Sequence, residues 1–229
     1  MKSSFLIVLS IIGVSIACTA YKSVGSQPLA NNNAQTQPSV QTNTATAQEQ
    51  EKTPCTLTLA GAPLTNGLRL GMTADEVLAL FPGSKDDAEV RTSLARPPGR
   101  FGMSEFLIRP AKYELNEKSG VSQIAVTLLD GHASRFYIGY DGPQYSHVDK
   151  FVAKFIEGKN LPAVDQWEAY VGMDTQLKTL NCKDFQIKIF AGGKGGNLNY
   201  VDIRDLEADK KLQERERKAE AEASPTPKP

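Results

Sequence analysis

Residues 123–140, QIAVTLLDGHASRFYIGY, decide the fold. Ile124, Val126 and Leu128 alternate with Gln123, Ala125 and Thr127, and Phe136, Ile138 and Tyr140 alternate with Arg135, Tyr137 and Gly139. A period of two marks a strand with one face buried. Asp130-Gly131-His132 between the runs is hairpin-turn chemistry, so the two strands are antiparallel neighbours. Phe185, Ile187 and Ile189 repeat the pattern downstream, alternating with Gln186 and Lys188. Glu117 to Gly120 and Gly192 to Asn197 supply further turns between neighbouring strands.

Two segments switch to the helical period. Upstream, in residues 68–83 (LRLGMTADEVLALFPG), Thr73 and Glu76 form a capping box; Val77, Leu80 and Phe81 share a face, and Pro82-Gly83 ends the run. The second helix begins near Ser146 and lines up Val148, Phe151, Val152, Phe155 and Ile156 before Gly158 and Pro162 stop it. Strands grouped after helices, without strict alternation, predict an α+β fold. The expected architecture is an antiparallel sheet packed by a few helices, in two helix-then-three-strand units.

The chain has four sections. Lys2 followed by the uncharged run Phe5 to Ala17 is a secretory signal peptide, residues 1–17. Cleavage after Ala17 or Ala20 competes with cleavage just before Cys18 and lipid attachment to its sulfur. Ala17 fits the lipoprotein pattern, whereas Ser15 stands where Leu, Val or Ile is usual. Residues 18–54 are rich in Asn, Gln, Ser, Thr and Ala and form a disordered polar tether. As a flexible coil of about 5–6 Å × √n, residues 21–54 of it span roughly 30–35 Å. Residues 55–206 have the length of one domain. Residues 207–229 are a charged tail, helical then extended, with i,i+4 pairs such as Glu207–Lys211 but almost nothing to bury.

Of three cysteines, Cys18 goes to lipid or is removed, which leaves Cys55 and Cys182 as an even pair in an oxidising compartment. They are expected to form a disulfide that pins PCTLTL, taken as a first strand, to the segment around Cys182. A metal site is the competing use of these thiols, but no CxxC is present and there are only two histidines.

The stretch Gly71-Met72-Thr73, with Val77 and Phe81 following, resembles the helix start of the small outer-membrane lipoprotein family associated with β-barrel assembly (SmpA/OmlA-like). It is also similar to the start of units in the β-lactamase-inhibitor-protein-like fold. The resemblance implies helices packed on antiparallel strands, and it covers this short motif only. The second helix usual in such a unit is not evident between Gly83 and Met103. No partner-binding residue is carried over.

Catalytic chemistry is hard to assemble. His132 lies in a turn and His147 at a helix start, with no G-x-S-x-G elbow nearby. Residues 191–197, AGGKGGN, lack the hydroxyl and following helix of a phosphate-binding P-loop. No catalytic, cofactor-binding or metal residue is assigned. Twenty-six basic and 26 acidic residues leave no net field to draw nucleic acid. Two local features stand out. Arg91, Arg96, Arg100 and Arg109 fall in one basic segment that could grip a carboxylate or phosphate. Trp167, near Tyr170, is a candidate partner anchor, with core packing as its other use. The expectation is an exported, non-catalytic binding or scaffold module of the bacterial cell envelope that meets an unknown envelope protein or ligand. Its address is the outer membrane or periplasm through the lipid on Cys18, or the exterior. The alternatives are an exported enzyme acting on an envelope polymer or small molecule, and a secreted inhibitor or adhesin.

Overall fold

A computed structural model describes residues 53–113, 120–142, 145–170, 176–192 and 199–223. The signal peptide, Cys18, nearly all of the tether, most of the turns at 117–120 and 192–197, and residues 224–229 lie outside the described residues.

At the hairpin, Asp130 and Gly131 take φ of 51° and 82°. Two consecutive positive values are what a two-residue turn matched to strand twist requires. The turn joins β2 (Val121–Leu129) to β3 (His132–Tyr140). Before them come α1 (Ala74–Ala79), α2 (Ala88–Leu94) and β1 (Met103–Ile108). After them come α3 (Val148–Ile156), β4 (Glu168–Ala169), β5 (Leu177–Asn181), β6 (Phe185–Phe190), β7 (Asn199–Asp205) and α4 (Leu206–Ala223). The strands form one antiparallel sheet in the order β1-β2-β3-β7-β6-β5-β4. Each half is a meander, and the halves meet where β3 pairs with β7.

This is the α+β fold the periodicities predict, with two differences. The first half has a second helix, α2, in the segment where the sequence showed none. It is seven residues long with only Val90 buried, so it carries no readable stripe. The second half has four strands, because the two-residue β4 blunts the sheet edge.

The alternation sorts side chains as expected. Phe106, Ile108, Ile124, Val126, Phe136, Ile138, Val201, Ile203, Ile187 and Ile189 point to one face and join Val77, Phe81, Val90, Phe151, Val152 and Phe155 of the helices in one core. The capping box forms as expected, with Thr73 N donating to Glu76 Oε2 at 2.7 Å and Glu76 N donating to Thr73 Oγ1 at 3.3 Å. Gly71, at φ 85°, donates its N–H to Ala133 O at 2.8 Å, and Ala133 N donates to Met72 O at 2.7 Å. The GMT motif therefore stitches the start of α1 to the start of β3.

Cys55 and Cys182 are joined in a disulfide with Cα atoms 4.5 Å apart. The segment after Cys55 is not a strand: Lys183 N donates to Leu57 O at 3.1 Å, and the chain then tightens into a 3₁₀ turn at Leu59–Gly61.

The tail contacts the domain more than its composition suggested. Asp205 caps α4, accepting from Glu207 N at 2.8 Å and Ala208 N at 3.1 Å. No residue of α4 is buried. It is held by ions: Arg215 donates to both oxygens of Asp130 (2.9 and 2.8 Å), and Lys211 donates to Asp130 Oδ2 at 2.6 Å. Exposed pairs of this kind contribute little individually, about 0–1 kcal/mol. Asp130→Asn, which keeps a residue tolerant of positive φ, should shift the melting temperature by a few degrees and lower the helical circular-dichroism signal. A fall of tens of degrees would show that α4 belongs to the core.

Candidate functional site

With α1, α2 and α3 buried against one face of the sheet, the other face is the place to look for recognition. Its side chains are the out-of-phase positions of each strand. Register sets Tyr137 opposite Asp202, and Asp202 opposite Lys188; Tyr200 stands opposite Phe190. The Tyr200 ring stacks on Phe190 with centroids 5.2 Å apart and tilts against Tyr137 at 4.8 Å. None of the three belongs to the core cluster, and all are half-buried. They form an aromatic ladder across the central seam, the cross-strand unit that steadies a sheet and presents ring edges outward.

Beside the ladder lies a set of cations. Arg135 grips Asp202 with two hydrogen bonds, Nε to Oδ1 at 2.7 Å and Nη2 to Oδ2 at 2.9 Å. Arg204 donates from Nε to Gln186 Oε1 at 2.8 Å and faces Asp209 at 3.6 Å. Lys188 of β6, opposite Asp202, has no ion pair among the described residues. Burial, aided by the Arg204 charge, moves its ammonium below the ordinary lysine value. Fixed guanidiniums, an unpaired ammonium and ring edges together suit a partner that offers acidic and aromatic or apolar groups.

The four arginines stand on different segments. Arg91 sits on α2 and Arg96 in the connection after it, both exposed, while Arg109 follows β1 and pairs with Glu89. Arg109 shares Glu89 with Lys112, and Arg100 lies beside Arg215 and Lys218 of α4. Trp167 is 1 % exposed and its indole donates to Pro162 O at 3.1 Å, so the ring is packed in the core and offers no surface to a partner. Tyr170 is 56 % exposed. The ladder was legible in principle, since Tyr137, Phe190 and Tyr200 are large aromatics at positions where the alternation calls for solvent-facing residues.

His147 caps α3, its Nδ1 accepting from Asp149 N at 3.3 Å and lying 3.2 Å from Asp149 Oδ2. The other carboxylate oxygen of Asp149 forms an ion pair with Lys178 at 2.5 Å, set by proximity rather than by an aligned hydrogen bond. His132 is in the hairpin, its Nδ1 3.1 Å from Asp130 O. Among the described residues no group of three or more His, Cys, Asp or Glu could hold a metal ion. No described helix is long and apolar enough to cross a membrane.

The cluster around Asp87 is structural. Asp87 caps α2, accepting from Glu89 N at 2.8 Å, and its Oδ2 accepts from Lys112 Nζ at 2.9 Å and Tyr113 OH at 3.0 Å. The Lys112 ammonium above all holds the Asp87 carboxyl down to about 2, with burial opposing. Burial and the bond to Asp87 push Tyr113 up to about 12. A carboxyl depressed on folding stabilises in full above its unfolded value of 3.8, and this contribution is lost as pH falls toward about 2. Asp87→Asn keeps the cap but not the charge. Urea midpoints should therefore fall less steeply for the variant than for the wild type across that acid window; equal slopes would refute the assignment.

No known family matches the sequence, and no curated protein matches it. Among solved structures, the chain is similar to a cysteine-rich secretory protein from Staphylococcus aureus subsp. aureus Mu50, at 13% identity and a TM-score of 0.33, with 60% of this chain and 44% of that one covered. The chain thus spans under half the length of that protein.

Proposed function

We propose that this protein is a non-catalytic binding or scaffold module, exported to the bacterial cell envelope and held there by lipid on Cys18 and the polar tether. The observation that carries the binding role is the sheet face opposite the core, with its Tyr137–Tyr200–Phe190 ladder beside Arg135, Lys188 and Arg204. Export is supported by the apolar run at Phe5 to Ala17 and by the Cys55–Cys182 disulfide, which an oxidising compartment favours. The GMT resemblance to small envelope lipoproteins points the same way. One observation favours the rival enzyme reading, the contact between His147 and Asp149. There the imidazole serves as a helix cap at the surface, which is a structural task.

Two measurements test the proposal in cells. A photo-crosslinking residue at Lys188 should yield a discrete partner adduct, whereas the same residue at the exposed Lys150 on α3 should not; adducts from both or neither count against the sheet face. Labelling with an alkyne fatty acid should mark the wild type and not Cys18→Ser. Equal labelling, or none in either, removes the lipid anchor from the proposal.

A further inference from the structure

We propose that the groove between the Arg100 loop and the second half of α4 binds a phosphate group. This site is distinct from the sheet face and does not depend on it. The groove, of 510 Å³, has Arg100, Phe101 and Gly102 on one wall and Arg215, Lys218 and Glu222 on the other, with Asp130 at its base.

Its walls are held at a fixed spacing. Arg215 Nη1 donates to Phe101 O at 2.6 Å as well as to Asp130, which ties α4 to the loop through a single guanidinium. Gly102, at φ 82°, has no room for a side chain: a β-carbon would collide with Asp130 Oδ1 and lie 2.9 Å from Arg215 Nη1. The loop backbone is thus pressed against the Asp130–Arg215 ion pair.

The charges in the groove are unequal. Asp130 is already bonded to both Arg215 and Lys211, so Glu222 is the one lining carboxylate left to oppose the cations. Arg100 and Lys218 have no ion pair among the described residues; the Arg100 guanidinium lies 5.3 Å from the Phe101 ring centroid. A carboxylate would satisfy one guanidinium fork. A phosphate monoester, with two charges and three terminal oxygens, can accept from Arg100, from Lys218 and from the Arg215 N–H groups that Asp130 and Phe101 leave free.

The test uses the exported protein carrying Cys18→Ser, so that no lipid on that residue contributes. Inorganic pyrophosphate titrated at low salt should shift the amide resonances of Arg100 to Gly102 and of α4 around Lys218. Arg100→Gln and Lys218→Gln, both at exposed positions, should each weaken binding about tenfold, the scale of one charge-assisted hydrogen bond. Arg91→Gln and Arg96→Gln should leave binding unchanged. Flotation with phosphatidylcholine vesicles, with and without phosphatidic acid, separates a lipid headgroup from a free phosphate. Binding only to the phosphatidic acid vesicles, lost in both groove variants, would place the phosphate on a lipid. The proposal is overturned if neither probe binds, or if Arg100→Gln and Lys218→Gln bind as the wild type does.

Discussion

Cys55→Ser should lower the stability of the folded domain by about 2–5 kcal/mol. The bridge joins residues 127 positions apart, a loop whose closure is worth about 5 kcal/mol on chain entropy alone. Its local setting makes the loss large, because little else holds the N-terminal segment. Beyond the sulfur bridge, Leu57 O accepts from Lys183 N and Leu59 N donates to Asp184 Oδ2 at 3.2 Å, both within two residues of Cys182 along the chain. Breaking the bridge frees Cys55 to Ala62 to fray and uncovers core against which Cys55, Leu57 and Leu59 pack. The variant at Cys55 is the cleaner probe, since Cys182 is 7 % exposed and serine there also buries a hydroxyl. The measurement is urea unfolding with thiol titration in denaturant. Two free thiols between Cys55 and Cys182 in unreduced protein, or an unchanged midpoint, would refute the bridge.

Trp167→Ala should cost about 3–5 kcal/mol, the range for deleting a large buried aromatic whose cavity only partly collapses. The ring is among the largest fully buried side chains, and its N–H is satisfied by Pro162 O, so truncation empties volume and leaves that carbonyl without its donor. Trp167→Phe, which keeps most of the ring, should lose less. Tyr170→Ala, three residues on and largely exposed, should fall within about 0.5 kcal/mol of wild type. The contrast tests the role directly: if Trp167 were a partner anchor, Trp167→Ala would spare stability and abolish crosslinking, whereas a core residue gives the reverse order of effects.

The interactions that hold α4 and the sheet seam join residues far apart in sequence. Arg215 meets Asp130 across 85 positions and Arg135 meets Asp202 across 67. Neither pair has a sequence signature, because a charge selects its partner by distance in space. For the same reason the four arginines between Arg91 and Arg109 read as one basic loop, although Arg91 stands on α2 and Arg109 follows β1, paired with Glu89 of α2. The α2 helix was hidden for a different reason. Seven residues with one buried side chain have no period to detect, and Asp87, whose Oδ1 caps the first turn, was the local sign available.

What the sequence determined by itself is what short-range physics controls. A period of two set which residues of β2, β3 and β6 face the core, Asp130-Gly131 set the hairpin, Thr73 and Glu76 set the start of α1, and the cysteine count singled out Cys55 and Cys182 as a pair. Each depends on backbone geometry over a few residues, or on parity. Tertiary structure alone decided that the two meanders join at β3 and β7, that Tyr137, Tyr200 and Phe190 meet across that seam, that Trp167 is buried, and that α4 lies against the turn at Asp130. These depend on which surfaces are brought together when the core closes, and the free energy of that closure is summed over the whole domain rather than carried by any one segment.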